Sequence, residues 1–280
     1  MWKGVVVRRR GLGRTSVREI CAKSETGLLG YRNDQPVPEV EGEAIGIRWG
    51  CTSNIPFKRV LNTAEAIHQV NNKTEFRKMM TPQGLCPRTW WAGNYPDLPD
   101  EFDLVVRPGF HAQGRNLHHC RTVNELERAI AACGPGWYAS ELFPKTHEYR
   151  VCIVQGLVSW VASKTPGNPE DIAWNVARGG RFDNVRWDDW PIPVVRVATQ
   201  AFHLTTLDFG GVDVMWDDRT KRATVLEINS APSLTSPYRQ QCMARCFDHI
   251  MRAENKERMA VNLKGKTWKS FNHPGLTGKR

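Results

Sequence analysis

The sequence has no CxxC pair and no cysteine–histidine run at zinc-ligand spacing, which excludes the common structural zinc modules and dithiol redox motifs. Its eight cysteines are scattered over 280 residues. Free thiols in a reducing compartment are expected, not a disulfide framework. Cys242, Cys246 and His249 share one face of a helix and have the chemistry of metal ligands; a buried core helix is the expected reading of that face. Long apolar runs are also missing. Near the start there is only Val5 to Val7, followed by Arg8-Arg9-Arg10. That is shorter than the roughly 7–15-residue apolar core of a secretion signal, and nothing approaches the ~18 residues of a membrane span. A cytoplasmic protein is expected. There is no internal repeat, no low-complexity tract and no glycine-rich run.

Positive charge is scarce where a nucleic-acid-binding body would need it. The net charge is +10, but residues 1–30 hold seven Lys or Arg against two Asp or Glu, and residues 251–280 hold eight against two. The remaining 220 residues are close to neutral. A fold with a positive surface throughout is therefore excluded. The basic ends point instead to docking on an acidic macromolecule, nucleic acid or acidic protein, or to a solubilising tail.

What is present is a mixed pattern of strands and helices. Gly4 to Arg8 reads as a buried strand, Val17 to Lys23 as a helix capped by Thr15 or Ser16, and Ala44 to Trp49 as a second strand beyond a polar loop. Thr63 to Val70 and Lys73 to Met80 have helical spacing, and Pro82 and Gly84 end the second. Pro87 to Ala92, Leu104 to Arg107 and Tyr138 to Phe143 read as strands, and Val123 to Cys133 as a helix. Tyr149 to Val154 and Leu157 to Ser163 form a hairpin around Gln155-Gly156. Pro193 to Leu207 and Pro237 to Met251 read as helices. Between them lie the strands Gly211 to Trp216 and Ala223 to Ile228, joined by a polar turn. The order is that of an α+β protein preceded by a small α/β unit.

The chemistry concentrates in that last strand pair. Glu227 and Asn229 are two apart, so both side chains leave one face of one strand. Asp213, on the neighbouring strand, can meet them. Two carboxylates and an amide oxygen make a hard, all-oxygen set, which suits Mg²⁺ and substrate phosphates.

The stretch Val225-Leu226-Glu227-Ile228-Asn229-Ser230-Ala231-Pro232, with Asp213 upstream, resembles the closing motif of the ATP-grasp superfamily. The likeness is to the branch of glutathione synthetase and ribosomal-protein glutamate ligase, and runs from about Asn72 to about Ile250. It implies two α+β subdomains gripping ATP, behind a small α/β pre-ATP-grasp domain. The expected divisions are 1–71 for that domain, 72–136 for the N-terminal lid subdomain, 137–250 for the C-terminal subdomain with the metal site, and 251–280 for a basic tail. The resemblance implies further roles. Lys73 contacts phosphate. Arg107 stands where the family usually has lysine, a planar fork replacing a point charge. His111, Gly114 and Arg115 belong to a phosphate-covering loop. Glu141, Leu142 and Phe143 form the adenine hinge. Asp213, Glu227 and Asn229 hold Mg²⁺, two ions with Mn²⁺ as a substitute. Arg150 and Lys164 reach the acylphosphate region, and Asn175 and Arg178 the acceptor.

The implied activity is ATP-dependent ligation of a carboxylate to an amine through an acylphosphate, releasing ADP and phosphate. Neither substrate is named by the sequence. Two alternatives stand beside it. One is an ATP-grasp kinase of a small molecule. The other is a non-enzymatic nucleic-acid binder, suggested by the basic ends and 11 tryptophans.

Overall fold

A computed structural model describes residues 3–36, 44–94, 101–111, 114–174 and 176–252. Asn175 and almost all of the basic C-terminal segment lie outside the described residues.

The chain begins with β1 (Gly4–Arg8), α1 (Arg14–Lys23), β2 (Leu28–Arg32), β3 (Ile45–Trp49) and β4 (Arg59–Leu61), whose strands form a parallel sheet in the order β2-β1-β3-β4. Both of its faces are covered, which is why Val5, Val6 and Val7 are consecutive apolar residues. Val6 joins Val17, Ile20 and Ile47 in one core, and Val5 and Val7 join Tyr31 and Ile55 in another.

Two short helices follow, α2 (Ala64–Asn71) and α3 (Lys73–Met80). Thr63 caps α2 by accepting the Ala66 N–H at 3.1 Å. Asn72 is at once the C-cap of α2 and the N-cap of α3, its side chain accepting the Glu75 N–H at 3.3 Å. The chain therefore turns sharply between the helices and puts Lys73 in the first turn of α3.

A second sheet contains β5 (Thr89–Trp91), β6 (Leu104–Pro108), β7 (His118–Cys120) and β8 (Trp137–Glu141), antiparallel in the order β5-β8-β6-β7. Helix α4 (Val123–Cys133) starts in a capping box of Thr122 and Glu125 and buries Leu126 and Ala129 on Trp90, Leu104, Val106 and Ala139. Trp137 to Glu141 thus hydrogen-bonds into this smaller sheet, upstream of the larger one.

The third sheet is the largest. It comprises β9 (His147–Val154), β10 (Leu157–Thr165), β11 (Arg181–Val185), β12 (Phe209–Asp217) and β13 (Arg222–Asn229), antiparallel in the order β11-β10-β9-β12-β13. Gln155 and Gly156 at the β9–β10 hairpin have φ of 51° and 78°, the left-handed pair of a tight two-residue turn. On one face, Val151, Ile153, Val212 and Val214 meet α2, α3 and α5 (Ile192–His203). On the other, Cys152, Val154, Trp160 and Phe209 meet the first sheet and α6 (Pro237–Arg252). Phe209 is stacked on Trp49 at 5.6 Å and edge-on to Phe247 at 5.2 Å. None of the eight cysteines is in a disulfide. Cys242 and Cys246 are buried in this core, and no group of three His, Cys, Asp or Glu has metal-site geometry among the described residues.

Candidate active site in the cleft between the two antiparallel sheets

Strand alternation selects the side chains that line the cleft. Along β9, Glu148, Arg150, Cys152 and Val154 share a face. In the register, Asp213 lies opposite both Arg150 on β9 and Glu227 on β13, Gly211 lies opposite Asn229, and Lys164 on β10 lies opposite Glu148. Five charged side chains from four strands, with the Asn229 amide, are thus gathered on one end of one sheet face.

Arg150 holds Asp213 with both arms of its fork, Nε to Oδ1 at 2.6 Å and Nη2 to Oδ2 at 2.7 Å. Lys164 is paired with Glu148 and stands 3.4 Å from Asp213 Oδ2. Lys145, just past the hinge segment, donates to Glu148 Oε2 at 2.7 Å and to the Ile172 carbonyl at 2.8 Å. The ring of Phe182 on β11 floors the cluster, 4.6 Å from the Arg150 guanidinium carbon and 5.3 Å from Lys164 Nζ.

The facing wall comes from α3 and β6. The Lys73 N–H donates to the Gly109 carbonyl at 2.7 Å, tying the α3 N-terminus to the loop after β6. Gly109 is required there: a Cβ would lie 2.7 Å from the Gly136 carbonyl and 2.8 Å from Thr74 Oγ1. Lys73 Nζ is 3.1 Å from the Val70 carbonyl and 3.4 Å from Glu227 Oε2. Asn229 Nδ2 donates to the other Glu227 oxygen at 3.0 Å. Arg77, one turn after Lys73, donates to the Leu226 carbonyl at 2.8 Å and lies 5.6 Å over the Tyr138 ring. The Tyr138 hydroxyl is 2.9 Å from His111 Nε2.

The electrostatics of this set are coupled. Burial pushes the Glu227 carboxyl up, but Lys73 and the Asn229 amide outweigh it and hold it well below the usual carboxylate range. Burial pushes Lys164 down, and Asp213 and Glu148 more than restore its charge. Arg150 is likewise raised by Asp213 against its burial. Lys145 is lowered, because burial outweighs the pull of Glu148. His111 is pushed down to about 3 by burial and by Arg107 beside it, so its imidazole is neutral at neutral pH. Lys73, Arg77, Arg107, Arg150, Lys145 and Lys164 outnumber Asp213, Glu227 and Glu148. Arg107 Nε and Arg77 Nη1 are buried N–H groups with no protein acceptor.

The structure thus brings together Lys73, Arg107, His111, Arg150, Lys164, Asp213, Glu227 and Asn229. Glu141, Leu142 and Phe143 follow at the end of β8. The Glu141 N–H donates to the Arg88 carbonyl at 3.0 Å and the Leu142 N–H to the Asp103 carbonyl at 2.8 Å. Those two amides are committed to the smaller sheet. Gly114 has a φ of 68°, and Arg115 after it is exposed on the β6–β7 connection. Arg178, on the β10–β11 connection, is half exposed and 3.9 Å from Asp171. Asn175 lies outside the described residues.

Lys145, Arg77, Tyr138, Phe182 and Glu148 are cleft residues that the sequence-based candidate set omits. Arg77 has a signal, since it lies four residues after Lys73 on one helix face. Phe182 is the lone aromatic in the strand Arg-Phe-Asp-Asn-Val, which is polar but for it and Val185. Lys145 has no local signal.

The donor set of Asp213, Glu227 and Asn229 fits a hard divalent cation, being all oxygen with two of three groups charged. Arg150 donates to both Asp213 oxygens, so a metal bound there shares that carboxylate with the guanidinium and competes with it for the same charge.

No sequence family matches the chain, and no curated protein matches it closely in sequence. Solved structures do. The ATP-grasp ligase PsnB, complexed with a minimal precursor, Mg and ADP, is similar with a TM-score of 0.61 at 14% identity, over 91% of this chain and 97% of that one. The D-alanine–D-alanine ligase from Bacillus anthracis, complexed with ATP, is similar with a TM-score of 0.63 at 12% identity, over 91% and 99%. The D-cycloserine synthetase DcsG is similar with a TM-score of 0.62 at 13% identity, over 89% and 100%. Over about nine-tenths of its length the chain has the fold of these ATP-grasp ligases.

Proposed function

We propose that the chain is an ATP-dependent carboxylate–amine ligase. The observation that carries this reading is the surplus of buried cations around the carboxylate pair Asp213 and Glu227. An excess of buried positive side chains is costly, and an anion in the site offsets it. Two arginine N–H groups without acceptors, on Arg77 and Arg107, face the same requirement. A triphosphate meets it.

In this reading the adenine lies at the hinge of Glu141, Leu142 and Phe143. Lys73 and Arg107 neutralise the phosphates, with His111 as an uncharged donor in the loop over them, a loop that also holds Gly114 and Arg115. Asp213, Glu227 and Asn229 would hold Mg²⁺, two ions in this reading, which when bound would supply positive charge at the phosphates. The substrate carboxylate attacks the γ-phosphorus, ADP departs, and an acylphosphate remains. The amine then attacks its carbonyl carbon, the C–O bond to phosphate breaks, and an amide, inorganic phosphate and a proton result. Arg150 and Lys164 stabilise the oxyanion of that addition in this reading. Arg178 and Asn175 belong to the acceptor side. The loop after β6 keeps water from the acylphosphate. The likeness to ligases described with ATP, or with Mg and ADP, supports this reading.

The test is ATP turnover screened against amino acids and short peptides, with products weighed by mass spectrometry. ADP and phosphate formed only when both a carboxylate and an amine are supplied are expected. Phosphorylated acceptor without amine dependence identifies a kinase instead, and AMP with pyrophosphate sinks the acylphosphate route. Glu227→Gln and Asn229→Ala are each expected to lower turnover at least about a hundredfold while the chain stays folded. Normal turnover in either variant removes the metal assignment.

A further inference from the structure

Arg239 is 2% exposed, yet among the described residues no carboxylate lies within ion-pair distance of it. Its Nη2 makes two long contacts, 3.2 Å to Thr235 Oγ1 and 3.5 Å to the Phe182 carbonyl. Nε and Nη1 have no protein acceptor. Burial lowers its pKa, Arg150 lowers it further, and Asp183 pulls the other way. Asp183 is itself half exposed and paired with Arg181. The position is unfavourable in a third way. Arg239 lies in the first turn of α6, a 16-residue helix with no acidic residue in that turn, where the helix dipole already presents positive charge. Burial, a neighbouring cation and the dipole all oppose a guanidinium here.

Its surroundings are consistent in kind. The guanidinium carbon lies 5.5 Å from the Phe182 ring, the same ring that floors Arg150 and Lys164. It lies 5.6 Å from the fully buried Trp160 ring, whose indole N–H also has no acceptor. A donor-only indole and two guanidinium N–H groups without an acceptor lie near one helix N-terminus, a set whose hydrogen bonds an anion would complete. Arg150 and Lys164 next to it are different, because Asp213 and Glu148 neutralise them.

We infer that Arg239 anchors a carboxylate of the substrate that is not itself phosphorylated, held at the first turn of α6 beside Phe182 and Trp160. The inference rests on the ligase reading for what the rest of the substrate is, but not for the anion site. The planar fork suits a carboxylate bidentately. A substrate bound there projects past Phe182 toward Arg150 and the phosphate end of the cleft. The ligand class is a free amino acid or the C-terminus of a peptide.

The test uses the whole chain with EDTA and without ATP, so that it reads the anion site whatever the enzyme does. Thermal unfolding is followed in sodium acetate against sodium chloride at equal ionic strength. In wild type a saturating carboxylate is expected to raise the midpoint by about 3 °C. Arg239→Met, which replaces an unneutralised charge with an apolar chain, is expected to unfold at or above the wild-type midpoint in chloride and to show no acetate response. A wild type insensitive to acetate, or an acetate response that survives in Arg239→Met, overturns the inference. So does an Arg239→Met midpoint well below wild type, which marks a structural cation. If Arg239→Met does not fold, Arg239→Lys decides: it keeps the charge, loses the fork and is expected to bind acetate at least tenfold more weakly, and undiminished affinity overturns the inference. Parallel titrations with glycine and with triglycine separate a free amino acid from a peptide terminus. Loss of this response with amine-dependent ATP use intact leaves the ligase reading standing. The reverse result leaves the anion site standing.

Discussion

Replacing Arg150 by methionine tests the electrostatic frame of the cleft. The Arg150–Asp213 pair is bidentate, at 2.6 and 2.7 Å, and Asp213 is 1% exposed. Removing one partner of such a buried pair costs about 3–5 kcal/mol, because a carboxylate is left without its counter-charge. Lys164 remains at 3.4 Å, which places the expected loss near the lower end, about 3 kcal/mol. At roughly 2–4 °C per kcal/mol for a chain of this size, the unfolding midpoint falls by about 10 °C. Urea titration in EDTA measures the loss directly. Asp213→Asn alone leaves Arg150 unpaired and is also destabilising, while the double variant recovers most of the difference. The cycle is expected to yield a coupling of at least about 2 kcal/mol. Mg²⁺ adds a second reading. If Asp213 is a metal ligand, millimolar Mg²⁺ stabilises Arg150→Met more than wild type, since no guanidinium competes for its oxygens. A coupling under about 0.5 kcal/mol would refute the claim that this pair is desolvated, and equal Mg²⁺ effects would refute the competition.

Other perturbations probe separate parts of the argument. His111 is held at about 3 in the native state against about 6.5 when unfolded. The unfolded chain therefore takes up a proton that the native state refuses, and stability falls as pH drops from 6.5 toward 3. Relative to His111→Asn, wild type is expected to lose about 1 kcal/mol between pH 7 and 5.5, and parallel urea stabilities across that range contradict the assignment. Lys73→Met removes the principal counter-charge of Glu227. It is expected to raise the KM for ATP at least tenfold and to make Mg²⁺ binding more pH-sensitive below pH 6, and unchanged ATP affinity sinks its phosphate role. Phe209→Ala opens the contact among Trp49, Phe209 and Phe247 and is expected to cost about 3–5 kcal/mol by urea titration, and a loss below 1 kcal/mol means the first sheet is not fastened there.

The parts of the fold that were legible in the sequence are those whose signal is local. The run Val5 to Val7 marks a strand covered on both faces. Gln155-Gly156 marks a tight hairpin, and the Glu227-x-Asn229 spacing fixes two side chains on one face by pleat alone. The strands missing from the expectation are of another kind. β4 and β7 have three residues each, too few for a period to register. β11 is an edge strand with polar residues on both sides of its pleat. β2 contains Gly30, where a Cβ would lie 3.1 Å from Val17. Its glycine follows from the approach of α1, which only the tertiary structure reveals. The same limit separates Glu227 from Lys145 and Arg239. Glu227 sits in a motif, whereas nothing near residue 239 says that its charge will be buried without a partner.

The site's position follows from how one sheet face is divided. On the face carrying Glu148, Arg150, Lys164 and Asp213, the pleat continues through Cys152, Val154, Trp160, Ala162 and Phe209. The second group is apolar and is covered by the first sheet and α6. The first group is charged, and the apolar ring against it is Phe182. A five-stranded sheet with half of one face sealed must therefore present its chemistry at the other half, which Lys73 at the start of α3 reaches at Glu227 on β13. Arg239 and Phe182 lie at the boundary between the halves, where α6 packs against β10 and the charged end begins. A substrate group held there touches the rigid half of the face while its reacting atoms lie over the charged half. That arrangement would tie substrate position to the packed core rather than to the loop after β6.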